Sequence, residues 1–216
     1  MIWQITWLTV SLALVATLVV LPPGVLLAWV LARRRFAGKT FVETLVSLPL
    51  VMPPVATGVL LLYLVGSRSP VGRALASMGI EVLFTRKAVV MAMAVMSLPL
   101  VVRTARAGFE QVSTRYEDIA ATLGAGPARI FVTISLPLAW PGVLGGAVLG
   151  FSRAVGEFGA TVMVAGALPG STRTLATAIY TFTETGQDRQ AAVLLAVSVT
   201  IAFVALWAAN RIGRTG

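Results

Sequence analysis

The sequence predicts an all-α polytopic membrane protein with about five transmembrane helices, and three observations carry that prediction. Of its 216 residues, 57% are hydrophobic and 12% charged, against the ~45–50% apolar content of soluble domains. The apolar residues gather into charge-free runs: Ile2 to Ala32, Thr44 to Val65, Ile130 to Ser152 and Ala191 to Asn210. Each reaches the roughly 18–20 residues that cross a ~30 Å hydrocarbon core. The basic residues, finally, collect between the runs and favour one side of the membrane.

Span 1 is placed over 3–32. No Lys or Arg precedes it and it is longer than a signal-peptide apolar region of about 7–15 residues, so it is expected to stay as a span. Pro22-Pro23 should kink it or end its first half. Span 2, over 41–66, contains "LPLVMPP" (Leu48 to Pro54). Its prolines free backbone carbonyls that neighbouring helices, hydroxyls or water must satisfy. A structural kink and a kinked pore-facing helix are both open readings. Residues 67–86 form a loop with turn signals at Ser69-Pro70 and Gly79.

Span 3, over 87–107, relies on Lys87 and Arg103 reaching from the ends of a short apolar run, with a kink at Pro99. Span 4, over 138–165, repeats small residues at Gly142, Gly146 and Gly150, a spacing that lets backbones approach closely. Ordinary packing and a dimer or pore seam are both open. An amphipathic helix with Leu175, Ile179 and Phe182 on one face is expected in the next loop, before span 5 over 190–210. The whole chain, 1–216, reads as one transmembrane domain with a loop at 108–137 and no soluble domain at either end.

The formal charge of +9 is topological. Arg33, Arg34, Arg35, Lys39, Arg103, Arg106, Arg115, Arg129, Arg211 and Arg214 share one side in a five-span arrangement. Only Arg68, Arg73, Arg86, Lys87, Arg173 and Arg189 fall on the other. Ten against six places the first side in the cytoplasm, with the N-terminus outside and the C-terminus inside. No basic patch is interleaved with stacking aromatics, so nucleic acid is not an expected partner.

Histidine and cysteine are absent. That removes the commonest general base and metal ligand and all thiol chemistry, and no carboxylate pair has ligand spacing. An intramembrane enzyme is therefore disfavoured, and neither catalytic nor metal-ligating residues are expected. An ion-coupled secondary transporter should show inverted repeats and buried acidic coupling residues. No repeat is visible, and Glu157 alone is thin support.

Two charges interrupt span 4, Arg153 and Glu157. Four residues apart, they can pair on one helix face. A structural ion pair and a lining or gating element are both open, since intramembrane ionisable groups tend to face cavities.

The loop before span 4 is "EDIAATLGAGPARIFVTISLP". Thr114 and Glu117 fit a capping box, Gly124 suits a left-handed helix stop, and Pro127 suits the first turn of a second helix over Ala128 to about Ile134. Leu136-Pro137 should end that helix. The result is two short helices about a glycine elbow, presenting Ile119, Ala120 and Leu123.

Asp118, Ala120, Gly124, then nine residues, then Ile134-Ser135-Leu136-Pro137 resembles the EAA loop of ABC-importer permeases, E-A-A-x3-G-x9-I-x-L-P. Asp118-Ile119-Ala120 replaces Glu-Ala-Ala: the charge is kept and Ile119 adds bulk. "GEFGAT" (Gly156 to Thr161), "LPLVMPP" and "MSLPLVVR" resemble the molybdate-importer permease over nearly the whole chain, and sulfate permeases carry close versions. The resemblance implies the type I permease fold and a homodimer. It also implies two cytoplasmic ABC ATPases and an extracytoplasmic oxyanion-binding protein, in the inner membrane of a prokaryote.

The implied cargo is molybdate, with tungstate related and sulfate or thiosulfate the alternative. The implied coupling residues are Glu117, Asp118, Ile119, Ala120, Leu123, Gly124, Ala125, Ile134, Leu136 and Pro137. Those of the pathway or its gate are Pro53, Pro54, Arg153, Gly156, Glu157, Gly159 and Thr161. The chain has no G-x-x-x-x-G-K-[ST] loop, so ATP and Mg²⁺ are expected on the partner ATPase and no cofactor on this chain.

Overall fold

The computed structural model describes residues 1–212. Arg214, counted above with the basic residues of the C-terminal side, lies outside the described residues. Those residues contain helices and no strand. In order the helices are α1 (Ile2–Arg33), α2 (Lys39–Val51), α3 (Pro54–Val65), α4 (Pro70–Ser77), α5 (Arg86–Gln111) and α6 (Thr114–Thr122). There follow α7 (Pro127–Ile130), a π-helical turn (Phe131–Ser135), α8 (Leu136–Leu138), α9 (Trp140–Val155), α10 (Gly159–Ala165), α11 (Leu175–Glu184) and α12 (Asp188–Ile212).

Helices α1, α5 and α12 are long and apolar enough to cross a membrane, and two bent pairs raise the number to five if each is one crossing. The bundle is organised around α5. Small buried residues of α1, Ala13, Ala16, Gly24 and Ala28, let it lie closely on α5; a Cβ at Gly24 would meet Val101 Cγ1 at 3.0 Å. Pro22 and Pro23 stay inside α1 without ending it. They sit on its exposed side, while packing on α5 holds the opposite face. Pro99 likewise does not end α5.

The glycine stripe of α9 also seats on α5, beside α1. A Cβ at Gly142 would stand 2.6 Å from Gly108 Cα, one at Gly146 would lie 3.1 Å from the Val101 carbonyl, and one at Gly150 would lie 2.6 Å from Val101 Cγ2. The stripe is therefore an intramolecular seam. Because Gly108 makes this contact and Phe109 is fully buried, residues 108–111 continue α5; the loop assigned to 108–137 starts four residues later than expected.

Span 2 bends at the prolines that predict a kink there, and span 4 breaks where the sequence predicts continuity. Span 2 turns by 115° at Met52–Pro53, because Pro53 is held extended (ψ 131°) and Pro54 has no N–H with which to continue the ladder. Span 4 stops at Val155 and restarts as α10 at Gly159. It also meets the preceding segment, Pro127–Leu138, at 73°.

The remaining loops follow their local chemistry. Ser69 caps α4, its Oγ accepting from Gly72 N at 2.7 Å, with Pro70 in the first turn. Thr174 and Thr177 form a capping box on α11. Leu175 and Phe182 of α11 are buried with Ile5 and Leu194, and Ile179 packs at the margin. Thr9 Oγ1 accepts from Leu175 N at 2.8 Å and so ties α11 to α1.

Candidate functional site

The α6–α8 module projects from the end of the bundle where α1 and α5 finish. Its first cap is one residue earlier than expected: Ser113, whose Oγ accepts from Arg115 N at 3.4 Å. Glu117 does not reach back to close a capping box. Its Oε1 accepts instead from Arg33 Nε and from Ser135 Oγ, both at 2.8 Å. Arg33 Nη2 also donates to the Val112 carbonyl at 2.8 Å. One carboxylate and one guanidinium thus join the ends of α1 and α5, the helix α6 and the π-helical turn. Both side chains are largely enclosed, at 9% exposed for Arg33 and 16% for Glu117.

The elbow is as the sequence implies. Gly124 has φ +84°, with Gly124 N donating to Ala121 O and Ala125 N to Ala120 O, each at 3.0 Å. This pair of bonds closes α6 with a left-handed residue that glycine adopts without a Cβ penalty.

The second helix differs from expectation. It begins at Pro127, widens into the π-helical turn, and runs on through Leu136 and Pro137 to Leu138. Pro137 occupies the first turn of α8, where its missing N–H is harmless. Phe131, at the start of the wide turn, anchors the module; its ring lies 5.0 Å from that of Trp29 and 6.2 Å from that of Phe109.

The coupling candidates divide by facing. Glu117, Ala120, Ala125, Ile134 and Leu136 lie partly enclosed, and Asp118, Ile119, Leu123, Gly124 and Pro137 are exposed. Leu123 is 82% and Ile119 49% exposed, and Tyr116 joins them at 56%. Tyr116, Arg33 and Ser135 are not among the coupling residues that the resemblance implies. Tyr116 was accessible through its three- and seven-residue spacing from Ile119 and Leu123; Arg33 was read only as a topological charge.

The pathway candidates converge at the two broken spans. Gly159, at the start of α10, lies against the start of α3: a Cβ there would stand 2.8 Å from Pro54 Cβ and 2.9 Å from Val55 N. One turn on, a Cβ at Gly58 would be 2.8 Å from Ala160 Cα. Pro53, Pro54 and Gly156 are exposed at the breaks. Thr161 on α10 and Thr57 on α3 are buried, and their hydroxyls have no hydrogen-bond partner among the described residues.

Arg153 and Glu157 pair, Nη1 to Oε2 at 2.7 Å, in an ion contact without hydrogen-bond alignment. Because α9 has already ended at Val155, the pair bridges the break instead of decorating one helix face. Glu157 Oε1 accepts from Ala160 N at 2.7 Å, so the same carboxylate stitches α9 to the first turn of α10. It is 1% exposed. Arg153 and a backbone N–H occupy its two oxygens, an arrangement suited to bracing the break.

Comparison with known proteins adds the family. The model of the family described as "Binding-protein-dependent transport system inner membrane component" matches residues 24–214. The chain is 43% identical over 206 residues to the molybdenum transport system permease protein ModB of Escherichia coli (strain K12), covering 94% of this chain and 90% of that protein. It is 41% identical over 201 residues to ModB of Haemophilus influenzae, covering 92% and 88%. In fold it is similar to a chain of a bacterial ABC transporter involved in the import of the acidic polysaccharide alginate. That match has a TM-score of 0.71 at 18% identity and covers 98% of this chain and 78% of that one. Matched over most of its length, the chain belongs to the family of binding-protein-dependent transport system inner membrane components, with the fold of the ABC-importer permeases.

Proposed function

We propose that this chain is the membrane-spanning permease subunit of an ATP-driven importer for molybdate, with tungstate a related cargo. Two copies form the pathway, and each docks one cytoplasmic ABC ATPase through its α6–α8 module. ATP and Mg²⁺ reside on that ATPase, and an oxyanion-binding protein delivers cargo from the opposite side. The basic-residue asymmetry supports an N-terminus outside and a C-terminus in the cytoplasm. The molybdenum permeases that it resembles support the cargo.

The observation that carries the coupling role is the bracing of an exposed apolar face. Tyr116, Ile119 and Leu123 face outward, while Glu117 on the same short helix is bound to Arg33 of α1 and Ser135 of the wide turn. A displacement of α6 by a docked ATPase is passed to α1 and α5 as a rigid-body shift. The glycine seam carries it on to α9. At the broken spans, Pro53, Pro54, Gly156, Gly159 and Thr161 shape the passage. The neutralised Arg153–Glu157 pair lets an oxyanion pass without the tight capture that would stop conduction.

Reconstitution with the ATPase and binding protein in vesicles tests this reading. Stimulation of ATP hydrolysis and uptake is expected with molybdate and tungstate. Stimulation by sulfate alone overturns the cargo, and uptake driven by an ion gradient without ATP overturns the transport class.

A further inference from the structure

At the end of the bundle opposite the α6–α8 module, a cavity of about 420 Å³ lies between the first turns of α1, the start of α5 and the loop 166–174. Arg86 and Arg173 line it together with Gln4 and Ser11. Each arginine is positioned by a loop carbonyl: Arg86 Nη2 donates to Gly170 O at 3.0 Å and Arg173 Nε to Ala167 O at 3.3 Å. Neither has a carboxylate within ion-pair distance among the described residues. A guanidinium carries five donors, so most of the donors here remain free for a ligand.

The loop that holds these groups is preformed. Gly166 and Gly170 take positive φ, +67° and +74°. The fully buried Thr172 ties the loop shut, its Oγ1 donating to Ala165 O at 2.8 Å and accepting from Leu168 N at 3.0 Å. Two uncompensated guanidinium groups in a preformed concavity call for an oxyanion.

The remaining walls decide its source. Trp7 and Leu8 line the same cavity, and Trp7 stacks on Trp3 with ring centroids 6.2 Å apart. Both rings are mostly exposed, at 62% and 73%, the placement of indoles at the headgroup level of a bilayer. The exposed apolar stripe of α1 continues from Trp7 to Leu14 and Leu18, where acyl chains would lie. A free oxyanion uses the arginines but has no use for these walls.

We propose that this cavity binds the phosphodiester headgroup of an anionic membrane lipid, with Arg86 and Arg173 on the phosphate and Trp7 and Leu8 against the glycerol and upper chains. The proposal stands independently of the cargo.

The test is native mass spectrometry of the full chain in detergent, titrated with phosphatidylglycerol or phosphatidylcholine. Wild type is expected to retain phosphatidylglycerol at least tenfold better. R86Q/R173Q should lose that preference while melting near the wild-type temperature in detergent, and R86K/R173K, which keeps both charges, should keep part of it. Equal retention of the two lipids, or an undiminished preference in R86Q/R173Q, overturns the proposal. So does displacement of the lipid by millimolar inorganic phosphate or molybdate, which assigns the site to a free oxyanion. Wild-type lipid preference in R86Q/R173Q together with lost binding-protein docking assigns the arginines to a protein contact, and also overturns it.

Discussion

Arg33 and Glu117, eighty-four residues apart, meet at 2.8 Å where the last residue of α1 reaches the first turn of α6. The same carboxylate oxygen takes Ser135 Oγ, and the same guanidinium takes the Val112 carbonyl at the end of α5. A short surface helix thereby becomes mechanically continuous with two long spans.

Removing the charge should loosen that joint without unfolding the spans. Glu117→Gln keeps an acceptor for Ser135 but loses the ion pair, a cost of about 1–3 kcal/mol for a largely enclosed charged hydrogen bond. The expected outcome is a permease that inserts and binds its ATPase, with ATP hydrolysis no longer stimulated by cargo and uptake per ATP reduced several-fold. Arg33→Gln should behave alike, and the double variant should be no worse than either single one. Additive losses would show that the two residues act separately.

Gly124 is a backbone requirement and not a packing one, since a Cβ there would meet nothing within 4 Å. A β-branched residue at φ +84° costs about 1–2 kcal/mol through local strain alone. Gly124→Val should therefore tilt α6 against α7 and uncouple hydrolysis from uptake, while Gly124→Asn, which tolerates the left-handed region, should retain much of the coupling. Parallel measurement of ATPase and uptake in vesicles distinguishes the two. Equal behaviour of Val and Asn would refute the elbow.

Much of this module was legible because its signals are local. A glycine at a helix stop and a proline in a first turn act within one or two residues of themselves, so Gly124 and Pro127 could be assigned from spacing. Glu117 could not. Its capping-box spacing from Thr114 is real, but Arg33 lies across the fold and offers a charged partner stronger than a backbone N–H. How the broken spans pack was hidden for the same reason. Hydropathy reports that 41–66 and 138–165 are apolar enough to cross; it cannot report that α3 and α10 turn out of line to pack on each other through Gly58 and Gly159. The glycine stripe of α9 was visible as a close-approach surface, but its partner, Gly108, lay in a stretch read as loop.

The proposed docking role of the exposed α6 face can be tested apart from folding. Leu123 is 82% exposed, so Leu123→Asp should leave stability within about 0.5 kcal/mol, as expected for surface substitutions. Co-purification with the ATPase subunit should fall at least tenfold. A variant that still pulls down its ATPase at wild-type yield would move the docking face elsewhere.

The α5–α9 seam should resist any added side chain. At Gly142 a Cβ would sit 2.6 Å from Gly108 Cα, a backbone atom with no rotamer to give way. Gly142→Ala is expected to lower stability by about 1–3 kcal/mol, the usual cost of overpacking. Gly145→Ala, whose Cβ would find Thr104 Cγ2 at 3.5 Å, should be near neutral. Thermal unfolding in detergent compares the two directly.

Glu157→Gln separates bracing from conduction at the broken span. The amide keeps the size of the side chain and an oxygen for Ala160 N, now 2.7 Å away, so α10 should stay capped. What changes is Arg153, which loses its counter-charge at 2.7 Å and becomes an uncompensated cation beside the breaks. An oxyanion passing there would be held more tightly and released more slowly. The expected result is a lower KM for uptake with a lower kcat, in protein that melts near the wild-type temperature. Arg153→Gln should show the complementary weakness, losing stability because Glu157 is left buried without its cation. If Glu157→Gln instead lowers the melting temperature and leaves the KM unchanged, the pair is a brace alone and the pathway lies away from it.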